Sequence, residues 1–127
     1  MLEKAKDAIR AALEMRRRAA SARALRQGGR HVTRAELAAG LARLGVAQGD
    51  VLFVHSSLKS LGYVEGGALT VIRALQDAVG PQGSLLLPTY YLPGGSVRAT
   101  CDLPGYVFDP RRHGTHMGRL PEAFLAS

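Results

Sequence analysis

The sequence has one cysteine and no asparagine or tryptophan. Because Cys101 has no partner within the chain, a disulfide-stabilised scaffold is excluded, and the lack of asparagine excludes an N-glycosylation sequon. No apolar run approaches the roughly 18 residues that a membrane-spanning helix needs. The charged, alanine-rich N-terminus also lacks the apolar core of a secretory signal. We therefore expect a reduced, cytoplasmic protein with no membrane partner.

The remaining composition is that of a globular protein. The chain has 127 residues, of which 46% are hydrophobic and 21% are charged. These proportions exclude a fully disordered chain, a collagen-like fibre and a coiled coil. The length suits one domain or a piece of a larger one.

Positive charge is concentrated at the N-terminus. Residues 1–30 hold nine basic and three acidic residues, which account for six of the seven net positive charges of the chain. We therefore divide the sequence into a basic, alanine- and arginine-rich extension (1–30) and a body (31–127). Such an extension is able to bind nucleic acid or an acidic membrane surface, but it has no aromatic residue to stack on bases and no recognition motif. These features favour a solvated helix or tail, and a nucleic-acid partner is not expected.

Apolar spacing predicts a helix followed by a strand at the start of the body. Thr33 and Glu36 have the spacing of a capping box, and Gly45 fits the left-handed position that ends a helix. Between them, leucines recur on one helical face: Leu37, Leu41 and Leu44. The segment 50–55 is short and rich in apolar and β-branched residues, which predicts a buried strand.

A second helix and a second strand follow a polar loop over residues 56–67. The helix is predicted from an apolar stripe that ends at Gly80. The stripe consists of Leu69, Val71, Ile72, Leu75 and Val79. Residues 84–87 predict another buried strand, 91–116 are irregular, and a helix is expected to begin near Leu120.

The order of strand, helix and strand implies a parallel strand pair joined by a crossover. We therefore predict an α/β fold of three layers (α/β/α) with a mostly parallel sheet. We expect this sheet to be incomplete in this chain. Ligands of such sheets bind at the carboxyl ends of the strands, which here are residues 55–57 and 88–90.

The loop after the first strand has the pattern of an anion site. Ser56 and Ser57 offer hydroxyl donors, and Gly66 and Gly67 precede a helix, where free backbone N–H groups bind anions. A phosphate-bearing cofactor is the ligand that this pattern favours, and a tight turn without a ligand is the alternative. No Walker A or Gly-x-Gly-x-x-Gly pattern is present, so a P-loop or Rossmann nucleotide site is not indicated.

Several short motifs occur in a fixed order along residues 31–127. They are Val54-His55-Ser56-Ser57-Leu58, Ser60-Leu61-Gly62, Val64-Glu65-Gly66-Gly67-Ala68, Leu87-Pro88-Thr89-Tyr90, Phe108-Asp109-Pro110 and Met117-Gly118-Arg119-Leu120-Pro121-Glu122. This order resembles the aminoglycoside 3-N-acetyltransferase family, and residues 1–30 fall outside the resemblance. The family transfers acetyl from acetyl-CoA to an amine, typically the 3-amino group of the deoxystreptamine ring of an aminoglycoside. The resemblance therefore implies an antibiotic-resistance acyltransferase with acetyl-CoA as co-substrate.

The resemblance also implies site residues. Coenzyme A would be held by two segments of the loop, His55, Ser56, Ser57 and Leu58, then Val64, Glu65, Gly66 and Gly67. Tyr90 is a candidate for the acceptor pocket, with a sheet-end aromatic as the alternative. The catalytic histidine and carboxylates of the family lie in the C-terminal half of a longer chain. None of the four histidines here matches that base, so we expect no catalytic residue in this chain.

Two other groups have weaker chemical interpretations. His113 and His116 have the spacing of a metal pair, but they have no third ligand, and zinc sites use three or four. We therefore expect no metal. Cys101 has no base placed beside it by the sequence and is expected to be inert.

Three functions stay open from the sequence. The first is an acetyl-CoA-dependent N-acetyltransferase, present as its N-terminal half and acting on an aminoglycoside or another amine. The second is a truncated, non-catalytic fragment that at most binds coenzyme A and that self-associates through exposed strand edges. The third is a nucleic-acid-binding module on residues 1–30, whose binding would depend on salt.

Overall fold

The computed structural model describes residues 2–127, with side chains from residue 4 onward. Short strands and helices alternate along this part of the chain. In chain order the elements are α1 (Leu2–Gly28), β1 (His31–Val32), α2 (Arg34–Arg43), β2 (Val51–Phe53), a 3-10 helix (Leu58–Leu61), β3 (Tyr63–Val64), α3 (Gly67–Val79), β4 (Ser84–Leu86), α4 (Val97–Cys101) and α5 (Arg119–Leu125). Within these residues no helix is both long enough and apolar enough to cross a membrane.

Strands β2 and β4 pair in parallel, and α3 lies between them in the chain. The register aligns Val51 with Ser84 and Phe53 with Leu86. The predicted strand–helix–strand unit is confirmed, although both strands are shorter than the predicted 50–55 and 84–87. The fold is therefore α/β with parallel strand pairing, as predicted.

Strands β1 and β3 form a second parallel pair that the sequence did not indicate. The Tyr63 N–H donates to the Arg30 carbonyl at 2.8 Å, and the Glu65 N–H donates to the Val32 carbonyl at 3.0 Å. Each strand has two residues, too few to show a period-2 pattern. The prediction of a loop over 56–67 was therefore wrong at the 3-10 helix and at β3.

The core forms around α3, against which α2 and α5 pack. Its buried residues are Val71, Ile72, Ala74, Leu75 and Val79. Leu120, in the helix predicted near that residue, is 1% exposed beside this face. Two residues of the predicted apolar stripes lie outside the core. Leu69 shares the outer face of α3 with Arg73, and Leu44 is 82% exposed because it caps the end of α2.

The β2–β4 pair is buried on one face. Leu52 and Leu85 pack against the core, whereas Val51, Phe53 and Leu86 are 73%, 58% and 45% exposed. Since successive strand residues point to opposite faces, the described residues cover one face of the pair. The prediction of two fully buried strands was wrong for this reason, and the predicted self-association stays a prediction.

The segment 91–116 is more ordered than predicted. It contains α4, which Ser96 caps by accepting a hydrogen bond from the Ala99 N–H at 3.1 Å. It also contains a stacked pair of rings, since the centroids of Tyr91 and His113 lie 5.3 Å apart. Local capping and ring stacking therefore organise a segment in which the apolar pattern is weak.

Helix α1 is largely exposed, as a solvated helix would be. Its C-terminal end is attached to the body. The Arg26 guanidinium lies 6.0 Å from the centroid of the Tyr63 ring, and the Arg26 carbonyl lies 2.8 Å from His31 Nε2. These contacts join the extension to the β1–β3 pair.

Helix α2 begins at the predicted capping box. Thr33 Oγ1 accepts a hydrogen bond from the Glu36 N–H at 3.2 Å, and Glu36 Oε2 accepts one from the Thr33 N–H at 2.9 Å. Hydrogen bonds from the backbone and then from the hydroxyl of Thr33 lower the pKa of Glu36. Because the folded-state pKa is lowered, this contribution to stability is present above the ordinary pKa of a glutamate and is lost as the pH falls through the lowered value.

Replacing Thr33 with alanine is expected to destabilise the protein by about 1 kcal/mol, because the Glu36 N–H loses its acceptor. Thermal melting followed by circular dichroism at neutral pH measures the effect. Thr33→Ser retains the hydroxyl and is the matched control. If both variants melted at the same lowered temperature, the capping account would be wrong.

Candidate functional site

A cavity of about 720 Å³ lies between α1, the segment from Ser56 to Ala68 and the start of α5. Its volume is within the range of small-molecule pockets, roughly 300–1,000 Å³. Three separate segments of the chain form its walls. The first contributes Arg17, Arg18, Ser21, Ala22 and Leu25; the second Ser56, Ser57, Leu58, Lys59, Gly62, Tyr63, Val64, Gly66, Gly67 and Ala68; the third Met117, Gly118, Arg119 and Leu120.

The start of α3 borders this cavity at Gly66, Gly67 and Ala68. Gly66 and Gly67 have positive φ angles of 76° and 66°, a conformation that favours glycine. No side chain caps the helix at Gly66, and the first N–H groups of an α-helix have no partner within the helix. A Cβ added at Gly67 would meet no atom within 4 Å. Open space therefore lies beside a helix end that attracts negative charge.

Ser56 adds a hydroxyl that is buried and unpaired. Its Oγ is shielded from solvent and makes no hydrogen bond with the described residues. Ser57 Oγ, in contrast, accepts a hydrogen bond from Ser60 Oγ at 2.9 Å. A buried hydroxyl without a partner is costly, and Ser56 is one of the residues that line the cavity.

The structure brings six of the eight predicted coenzyme residues to the cavity: Ser56, Ser57, Leu58, Val64, Gly66 and Gly67. The other two do not line it. His55 is exposed on the outer face of the β2–β4 pair, with its ring centroid 4.9 Å from that of Phe53. Glu65 is also exposed. The strand alternation that brings Ser56 inward turns His55 outward.

Tyr90, the predicted acceptor residue, lies outside the cavity and is 48% exposed. Its carbonyl accepts hydrogen bonds from the His116 N–H at 3.0 Å and from Thr115 Oγ1 at 3.2 Å. The structure thus connects Tyr90 to the ordered segment 91–116 through its backbone.

Sequence reasoning missed two walls of the cavity. Arg17 and Arg18 come from the extension, and Arg119 comes from a motif to which no site role was given. With Lys59 they place four basic side chains around the cavity, and none of its described lining residues is acidic. The concentration of charge in residues 1–30 was the available signal, but it did not show where the helix packs.

The two histidines with the spacing of a metal pair make hydrogen bonds to the backbone. His113 Nδ1 accepts a hydrogen bond from the Asp109 N–H at 3.0 Å, and His116 Nδ1 accepts one from the Leu92 N–H at 3.3 Å. No group of three or more potential metal ligands occurs in the part of the chain that the structure describes. Cys101 is exposed at the end of α4.

These features define an α/β protein with a cationic, hydroxyl-containing cavity at the start of a helix. Residues 53–127 match the family model for aminoglycoside 3-N-acetyltransferase. The chain belongs to this family, which confirms the resemblance found in the motifs.

The known proteins that are similar to this chain are longer than it is. It is 38% identical over 112 residues to aminoglycoside N(3)-acetyltransferase VIII of Streptomyces fradiae, covering 78% of this chain and 38% of that protein. It is similar to the structure of AAC-IIIb as a binary complex with CoASH, at a TM-score of 0.58 and 34% identity. That similarity covers 77% of this chain and 40% of AAC-IIIb. It is also similar to AAC(3)-IVa in complex with apramycin, with a TM-score of 0.60, 34% identity, and coverage of 75% and 36%. The chain thus spans less than half the length of each.

Proposed function

We propose that this chain forms the acetyl-CoA-binding part of an aminoglycoside N(3)-acetyltransferase. The observation that carries the proposal is the cavity, because Ser56, whose hydroxyl has no partner among the described residues, and the start of α3 both line it within the matched residues 53–127. A similar structure was solved with CoASH, which supports coenzyme A as the ligand class.

The walls of the cavity fit the two chemical parts of coenzyme A. Backbone N–H groups at Gly66 and Gly67, with the charges of Lys59 and Arg119, suit phosphate groups. Apolar side chains such as Leu58 suit the pantetheine arm. When bound, acetyl-CoA supplies the acetyl group as a thioester, from which an amine forms an amide as the thiol leaves.

The acceptor in this proposal is the 3-amino group of an aminoglycoside, with another amine as the alternative. The named relative and the apramycin complex support an aminoglycoside. We place Tyr90 near the acceptor, since it follows the carboxyl end of β4. None of the four histidines lines the cavity, so we propose that this chain does not itself supply the general base.

Replacing Ser56 with alanine is expected to weaken coenzyme A binding by roughly 2- to 10-fold, the worth of one neutral hydrogen bond. The same change removes an unpaired buried hydroxyl, so the ligand-free protein is expected to melt at an equal or higher temperature. Isothermal titration calorimetry and thermal melting measure the two effects. Ser84→Ala, at an exposed serine of β4 outside the cavity lining, is the matched control.

Two results would contradict the coenzyme assignment. One is the absence of coenzyme A binding to the unmodified chain. The other is equal affinity in the chain and in Ser56→Ala.

Transfer of labelled acetyl from acetyl-CoA to aminoglycosides tests the reaction separately. The 127-residue chain is expected to bind the coenzyme without measurable transfer, because the proposal assigns it no general base. Transfer at a rate abolished by changing a histidine of this chain would contradict that part of the proposal.

A further inference from the structure

The feature not explained by the family match is the basic helix α1, which precedes the matched residues 53–127. Most of its charges are exposed to solvent. Arg17 and Arg18, however, line the same cavity as Gly66 and Gly67, and Ser21 lies one turn further along. The helix therefore adds a wall to a cavity built from the family's motifs.

Contacts of two arginines connect α1 to the body of the protein. Arg18 Nη1 lies 3.7 Å from Glu122 Oε2 of α5, and Arg18 Nη2 lies 4.0 Å from Glu14 Oε2 on α1 itself. About two turns further along the helix, Arg26 contacts the Tyr63 ring. The helix is thus attached at its middle and at its C-terminal end.

The two arginines have different surroundings. Arg18 shares its charge with two carboxylates, whereas Arg17 makes no ion pair with the described residues. A guanidinium forms strong, often paired hydrogen bonds to phosphate oxygens. With Lys59 and Arg119, the cavity has more positive charge than its acidic neighbours neutralise.

We propose that α1 is a coenzyme-binding element in which Arg17 and Arg18 bind phosphate groups of coenzyme A. This rests on the proposed function, since it assumes that the cavity takes the coenzyme. It assigns the basic extension to the binding of coenzyme A in the cavity of its own chain, rather than to the binding of a nucleic acid.

The test compares two double variants of the full 127-residue chain that lose the same charge. Arg17→Gln with Arg18→Gln removes the cavity arginines, and Arg10→Gln with Arg16→Gln removes two arginines of α1 that do not line this cavity. Calorimetric titration with coenzyme A and with pantetheine, which has no phosphate, measures binding. Circular dichroism checks that α1 is retained.

The cavity variant is expected to bind coenzyme A at least about 10- to 100-fold more weakly, because the loss of even one charge-assisted hydrogen bond has that effect. Its pantetheine affinity should be unchanged, and the control variant should bind both ligands nearly as the unmodified chain does. Equal losses in the two variants, or an unchanged affinity of the cavity variant, would overturn the role of α1.

The same experiment distinguishes failure of the proposed function from failure of the role of α1. If the unmodified chain bound neither coenzyme A nor pantetheine, both proposals would fail. If it bound coenzyme A but the cavity arginines had no effect, only the role of α1 would fail. Loss of binding to a short single-stranded RNA in the cavity variant alone, with coenzyme A affinity unchanged, would instead assign the helix to nucleic acid.

Discussion

Replacing Ile72 with alanine is expected to lower the free energy of unfolding by about 2–5 kcal/mol. Ile72 is 2% exposed in the middle of α3, where it joins a cluster that includes Val32, Val64, Leu75 and Leu120. The truncation removes buried methylene and methyl groups. It leaves a cavity that the surrounding packed elements cannot fully close. Since a domain of this size is stable by only about 5–15 kcal/mol, the loss is a large part of the total.

Urea denaturation followed by circular dichroism measures this loss. Leu69→Ala is the matched control, because it makes a comparable truncation on the outer face of the same helix, where the side chain is 49% exposed. A small loss for Leu69→Ala beside a large one for Ile72→Ala is the expected result. Equal losses would mean that α3 does not present its stripe to the core as described.

Replacing Gly62 with alanine is the second change with a large expected effect. Gly62 has a φ of +94°, and a Cβ there would lie 2.5 Å from the Arg30 carbonyl oxygen, a backbone atom that cannot rotate away. We expect about 1–3 kcal/mol of backbone strain, with a further cost from separating β1 and β3. Because Gly62 also lines the cavity, the same variant should bind coenzyme A more weakly.

Gly114→Ala is the control for this change, since a Cβ at Gly114 would meet no atom within 4 Å. Chemical denaturation gives the stability difference, and calorimetric titration gives the affinity. If Gly62→Ala were as stable as Gly114→Ala, the close approach of Gly62 to Arg30 would not be a property of the folded protein.

The elements that could be predicted from the sequence are those whose signals are local. Thr33 and Glu36 specify the start of α2 through hydrogen bonds between neighbours. The stripe around Ile72 specifies α3 because its period matches the helix. The parallel pairing of β2 with β4 follows from the intervening helix.

What could not be predicted depends on contacts between distant segments. The two-residue strands β1 and β3 exist because Arg30 and Val32 meet Tyr63 and Glu65 across about thirty positions of the chain. The exposure of Phe53 depends on which face of its strand the described residues cover, and an apolar run by itself does not show this.

In the candidate site, too, the residues with local signals could be predicted and those placed by distant contacts could not. Ser56, Gly66 and Gly67 carry a local signal, a strand end and a helix start, and they line the cavity. The cationic wall from Arg17 and Arg18 depends on where a long helix packs, and the concentration of charge does not predict that position.

The most direct test of the central claim is a two-dimensional ¹H–¹⁵N NMR titration of the 127-residue chain with coenzyme A. The account predicts saturable shifts of the amide resonances around the cavity, with the largest at Ser57, Leu58, Gly66 and Gly67, and smaller ones near Arg119. Resonances of the segment around His113 should stay unchanged. Shifts confined to that segment, or no saturable shift at the cavity amides, would contradict the claim that this cavity binds the coenzyme.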